Sequence, residues 1–165
     1  MINPVPLFAS VAALVGLAAS SHDRTPRLVW NASASVPIGL YVIVPTPPRR
    51  GELALVRLPP RTADLARRRR YLMATPYVLK RVAAVGGDRV CRIGRRIFVQ
   101  GHHGTTALRR DMARRIMPAW QGCRRLAGGD VFLLTDDTLS FDSRYFGPIS
   151  AQHVGGRAAP LIQQR

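Results

Sequence analysis

The chain has 165 residues, enough for one domain with a real core and too few for a second independent one. Twenty-five basic residues against 9 acidic ones give a net charge of +16, beside an ordinary hydrophobic fraction of 47%. Such charge suits nucleic acid or an anionic membrane. The arginine doublets are scattered between apolar segments, however, and no stretch alternates basic residues with stacking aromatics, so no nucleic-acid partner is expected.

In chain order, the first feature is Val5 to Ala19, an apolar run inside an uncharged stretch that ends at Ser21. A membrane span needs roughly 20 apolar residues, so this one is short. It fits a cleaved signal, a short anchor or a buried helix. A cleaved signal usually carries basic residues ahead of its apolar run, and none precede it here. The expectation is an uncleaved anchor over residues 1–21, or a signal segment, followed by one domain over 22–165. Arg24 and Arg27 just after it would, by the positive-inside rule, place that flank in the cytoplasm. The motifs described below require the opposite.

Arg27 to Trp30 is a short apolar run. Gly39 to Val44, rich in β-branched and aromatic residues, predicts a strand that ends at the prolines 45, 47 and 48. Gly51 to Leu58 alternates and predicts another. Thr62 to Ala74 reads as helix, and Tyr77 to Val85 as a strand with Lys80 inside it. After a Gly86-Gly87-Asp88 turn, Arg89 to Ile93 and Arg96 to Gln100 read as a hairpin with Gly94 at its tip. Gly101 to Arg125 is polar and reads as an irregular insertion, and Val131 to Leu134 as the last clear strand. Short strands between turn signals predict a mainly β domain.

The basic residues are 24 Arg and one Lys. Arginine keeps its proton in a protein, whereas a buried lysine can lose it and act as a base. Lys80 sits among Val78, Leu79, Val82 and Val85, where burial would lower its pKa. A water-facing strand lysine is the commoner case. The two cysteines, Cys91 and Cys123, make no metal-binding spacing. In an exported protein they form a disulfide; otherwise they are two buried thiols.

Three segments carry the candidate chemistry: Asn31 to Tyr41 (NASASVPIGLY), Lys80 to Asp88 (KRVAAVGGD) and Ser140 to Gly147 (SFDSRYFG). Small residues followed by Pro-x-Gly before a strand make a tight turn that presents a side chain, as a nucleophile or as any loop. On a strand, Asp142 and Arg144 would share a face and pair. A Ser-His-Asp triad is weakly served: His22 abuts the anchor, His102 and His103 lie in the polar insertion, and His153 is near the C-terminus.

In order and wording, the three segments resemble the type I signal peptidase family of membrane-bound Ser-Lys peptidases. Ser35-Val36-Pro37 matches the serine box, with Val where Met is commoner. Lys80 to Asp88 matches K-R-V-x-x-x-x-G-D, and Ser140 to Gly147 matches S-x-D-S-R-x-x-G. Gly51-Glu52-Leu53 resembles the G-D-[IVL] strand between them. The Gly39-Leu40-Tyr41 wording and Pro118 to Cys123 resemble the TraF-type conjugative transfer peptidases more than the housekeeping enzymes.

The resemblance implies a signal-peptidase-type fold of coiled antiparallel β-sheets with one N-terminal transmembrane helix. It implies Ser35 as nucleophile and Lys80 as general base. Ser33 and the Ser35 backbone N–H would stabilise the oxyanion, Ser140 would orient the lysine, and Asp142 and Arg144 would support that strand. It implies no metal or organic cofactor. The implied setting is the inner membrane, with the catalytic domain in the periplasm and Cys91 bonded to Cys123. The substrate would be an exported precursor, for the TraF type a conjugative pilin, and the partners a type IV secretion or mating-pair apparatus. The rivals are a broad housekeeping signal peptidase, a LexA-like Ser-Lys regulator, for whose DNA-binding domain 34 residues before Ser35 leave little room, and an inactive scaffold.

Overall fold

The computed structural model describes residues 25–72 and 75–163. The stretch expected as an anchor, 1–21, lies outside the described residues. Among the described residues no helix is long and apolar enough to cross a membrane.

Among the described residues ten strands form two sheets in which every strand pair is antiparallel. They are β1 (Leu28–Asn31), β2 (Gly39–Val44), β3 (Leu53–Arg57), β4 (Tyr77–Val85), β5 (Arg89–Ile93), β6 (Arg96–Val99), β7 (His102–Thr106), β8 (Gly122–Arg125), β9 (Val131–Leu133) and β10 (Val154–Gln163). The larger sheet runs β1-β2-β10-β3-β4-β9 and the smaller β7-β6-β5-β8. Two α-helices, α1 (Pro60–Arg68) and the short α2 (Ser143–Phe146), and a 3-10 turn (Ala151–His153) are the other regular elements among the described residues. The mainly β expectation and the β5–β6 hairpin around Gly94 both agree with this architecture.

Four expectations need correction. The helix expected over 62–74 is α1, which starts at Pro60 and ends at Arg68. Proline's fixed φ suits a first helical position, and Arg70 turns left-handed at φ 61, which ends the coil. The supposedly irregular insertion contains β7 and β8. Both are exposed edge strands, HHGTT and GCRR, without an apolar face; pairing to β6 and β5 orders them.

The third correction is the last strand. β10 (VGGRAAPLIQ) was not legible, yet it lies inside the larger sheet between β2 and β3. Its Gly156, at φ 137, packs so closely on Val44 that a Cβ would collide with the Val44 carbonyl oxygen. Its Pro160 falls beyond Ala158, where pairing with β3 stops, so the missing N–H disrupts no ladder on that side. The fourth is the Asp142–Arg144 pair. It forms, but at the start of α2 and not on a strand, because the Asp142 side chain caps that helix.

The apolar core has three parts. One joins β3, β4 and β9 to α1 and α2 through Val56, Val82, Leu133, Ala66 and Tyr145. A second lies under β2, with Val36, Tyr41, Leu55 and Leu79. A third holds the smaller sheet through Val90, Ile97, Trp120 and Phe132. In the smaller sheet Cys91 faces Cys123 across β5 and β8, and a disulfide joins them.

Candidate active site

The loop from Asn31 to Gly39 joins the two antiparallel strands β1 and β2, so both of its ends are fixed by the sheet. Inside the loop, Asn31 does most of the shaping. It is 7% exposed, and its Oδ1 accepts from the Ser33 backbone N–H (3.2 Å) and the Ser33 hydroxyl (3.0 Å). Its Nδ2 lies 2.8 Å from the Ser33 carbonyl oxygen, 3.0 Å from that of Val36 and 3.1 Å from that of Pro37. The Tyr41 hydroxyl also donates to the Pro37 carbonyl at 2.7 Å, and Gln163 of β10 donates to that hydroxyl. Gly39 has no room for a side chain, because a Cβ would collide with the Ile162 carbonyl oxygen. Val36 anchors the far side of the turn in the core. These contacts leave Ser35 half-buried at the apex.

Lys80 reaches that apex from β4. On β4 it shares a face with Val78 and Val82, and it is only 7% exposed. Its Nζ lies 2.7 Å from Ser35 Oγ and 2.7 Å from Ser140 Oγ. Ser33 Oγ is 3.0 Å from Ser35 Oγ. Burial brings the Lys80 pKa down from 10.5 to about 8, against the opposing pull of the Asp142 and Asp137 carboxylates. The amine is therefore within reach of neutrality at mildly alkaline pH.

Ser140 is held by the segment around it. Asp142 and Arg144 are both fully buried. Arg144 Nε donates to Asp142 Oδ1 and Nη2 to Oδ2, each at 2.8 Å, a two-pronged fork. Arg144 also donates to the Thr135 and Thr138 carbonyls, and Thr135 N donates to Asp142. The pair thus clamps residues 135–140 beside β4. Burial pushes the Asp142 carboxyl up, while the Arg144 guanidinium and two backbone N–H donors oppose that shift. From the smaller sheet, the buried Arg92 donates to the Arg144 carbonyl, tying β5 to α2.

Ser35, Lys80 and Ser140 open on a cleft of about 590 Å³. Its walls include Trp30, Val78, Leu79, Leu139 and Phe141, so it is largely apolar around a few polar groups, as binding clefts are. β3 pairs with β4 from Tyr77 onward, whereas β9 pairs with β4 only from Val82. The other edge of Tyr77 to Leu79 has no neighbouring strand among the described residues and faces the cleft. An extended peptide can add there by main-chain hydrogen bonds.

The structure thus brings Ser33, Ser35, Lys80 and Ser140 together, with Asp142 and Arg144 behind them. Cys91 and Cys123 lie apart, in the smaller sheet. Among the described residues no histidine lines the cleft, since His102 and His103 are on β7 and His153 is in the turn before β10. No group of three His, Cys, Asp or Glu among the described residues could hold a metal ion. Sequence reasoning missed Asn31 as an organiser. Its one signal was the habit of Asn side chains to bond nearby backbone in turns.

Comparison with known proteins identifies the family of the chain. The family model for signal peptidase, peptidase S26, matches residues 2–162. A plasmid transfer protein TraF of Escherichia coli is 32% identical over 168 residues, 94% of this chain and 92% of that protein. A probable conjugal transfer protein TraF of Sinorhizobium fredii (strain NBRC 101917 / NGR234) is 36% identical over 145 residues, 80% of this chain and 75% of that protein. Among solved structures, a signal peptidase I from Enterococcus faecalis V583 is a remote likeness, with TM-score 0.38 and 18% identity, covering 67% of this chain and 95% of that one. The chain belongs to the signal peptidase family, peptidase S26.

Proposed function

We propose that this chain cleaves an exported precursor with a Ser35–Lys80 dyad, from a periplasmic domain anchored to the inner membrane by its N-terminal segment. The observation that carries the reading is the 2.7 Å contact between Ser35 Oγ and a buried amine whose pKa falls to about 8. While protonated, that amine donates to both serines. Once neutral, its lone pair can take the Ser35 proton while an N–H remains on Ser140.

Ser35 Oγ then attacks the scissile carbonyl of a strand lying along Tyr77 to Leu79. The Ser35 N–H and the Ser33 hydroxyl stabilise the oxyanion; a donor of this kind is worth about 10²–10³ in rate. For that, Ser33 must turn its proton away from Asn31 Oδ1, to which it donates in the free enzyme. Lys80 next hands its proton to the leaving amine, and water, deprotonated by Lys80, hydrolyses the acyl-enzyme. The TraF relatives are named for plasmid and conjugal transfer. They support a conjugative setting for this chain. In the proposed reading the precursor is a pilin subunit and the partner the type IV secretion or mating-pair apparatus. Nothing in the proposed reaction calls for a cofactor or nucleic acid.

Ser35→Ala tests this reading. The variant keeps the fold and loses cleavage of precursor or of peptides bearing an Ala-x-Ala site, because no oxygen remains to attack. Turnover at the wild-type rate would remove Ser35 from the mechanism.

A further inference from the structure

Beside the catalytic cleft lies a second cavity, of about 280 Å³. Tyr71, Leu139 and Phe141 line both, so the two share a wall, and Leu139 directly precedes the Ser140 that touches Lys80. The second cavity is roofed by residues 107–117, the stretch that in sequence looks like an irregular polar insertion. Its apolar surface comes from Leu108, Met112 and Met117 together with the shared wall.

This roof is held in place. Arg110 and Ile116 form a β-bridge, and Met117 N donates to the Arg109 carbonyl. The Tyr71 hydroxyl donates to Asp111 Oδ2 at 2.5 Å, and Arg115 pairs with the same carboxylate. Arg69 donates to the Ile116 carbonyl. A pocket fixed in this way pays little ordering entropy when it is filled. Yet its lining leaves large apolar groups in water: Met112 is 82% exposed and Leu139 57%. The rim is cationic. Asp111 is taken up by Arg115, and Arg69 and Arg110 make no ion pair with a carboxylate among the described residues.

We infer that this cavity is a second substrate subsite, which takes an apolar side chain of the precursor several residues from the scissile bond and disfavours a basic one. The inference rests on the peptidase reading above. It makes residues 107–117 a determinant of which precursor is cut, separate from the dyad that cuts it. Cleavage-site chemistry alone, small residues around the bond, is shared by very many exported proteins. A distal apolar contact adds selectivity that the scissile segment cannot supply.

The test uses two sets of fluorogenic peptides with an Ala-x-Ala site. One set spans about six residues around the bond, and the other extends it by several residues on each side. Each added position is scanned with Leu, Ser and Lys. At one added position Leu should raise kcat/KM roughly tenfold over Ser, the scale of one buried apolar side chain, and Lys should lower it. Met112→Asp and Ala113→Trp alter exposed lining residues that touch neither Ser35 nor Lys80. Each should abolish the Leu preference and leave the short peptides cleaved at the wild-type rate. If the long peptides show no preference, or the preference survives both variants, the subsite is refuted while the peptidase reading stands. If the wild type cleaves neither set, both fall.

Discussion

Lys80 Nζ and Ser140 Oγ lie 2.7 Å apart in a buried contact between β4 and the segment that leads into α2. That contact fixes the direction of an amine on a long flexible stem. Ser140→Ala should therefore lower kcat by about 10²-fold with KM little changed, since general-base catalysis depends on aim. A steady-state kcat and KM measurement checks this; an unchanged kcat would leave Ser140 without a role in orientation.

Activity should rise with pH through a single ionisation near 8, as Lys80 loses its proton. Lys80→Arg should be inactive although charge is retained, because guanidinium does not deprotonate. A pH profile of kcat/KM for the wild type and one assay of the variant decide the matter. Full activity of the arginine variant would exclude Lys80 as the base.

The same burial has a cost in stability. The unfolded chain holds the lysine proton up to about pH 10.5, while the folded chain releases it near 8. Between those values the unfolded state binds more protons, so stability should rise with pH, by about 3 kcal/mol from this group. Lys80→Met removes the effect: it should be inactive, yet no less stable than the wild type at pH 7. Urea unfolding at pH 7 and pH 10 reads both quantities.

Asn31→Ala should cost more than a surface substitution. It strips the donor from three carbonyls and the acceptor from Ser33, in a buried place. A loss of about 1–3 kcal/mol is expected, together with a large drop in kcat, because the loop presenting Ser35 loses its brace. Asn31→Asp keeps the acceptor for Ser33 and loses the donors, so it should retain part of the activity. Thermal unfolding and kcat together distinguish a weakened fold from a displaced nucleophile.

Breaking the buried fork should be severe. Asp142→Ala leaves the Arg144 guanidinium unpaired with no exposure to water. About 3–5 kcal/mol should be lost. Arg144→Lys should not rescue, since one ammonium cannot make two parallel bonds to Asp142 and also reach the Thr135 carbonyl. Denaturant midpoints of the two variants check this.

Local features were legible wherever the chemistry is local. The alternation of β4 places Lys80 on the buried face with Val78 and Val82, and that face follows from the period of two alone. The Gly94 turn and the strand over 39–44 follow from turn chemistry and β-branched content. The order of the serine, lysine and Ser-x-Asp-Ser-Arg segments pointed to the residues that meet at the site. What needed the tertiary structure is whatever depends on partners distant in sequence. β10 has no strand-like composition, and its place between β2 and β3 comes from close backbone approach at Gly156. Edge strands β7 and β8 exist only through β6 and β5. Asp142 and Arg144 pair at a helix start because the carboxylate caps α2. The apolar cavity beside the cleft arises only where residues 107–117 fold back over Tyr71, Leu139 and Phe141, since side-chain periodicity reports the face a residue takes and not the surface it meets there.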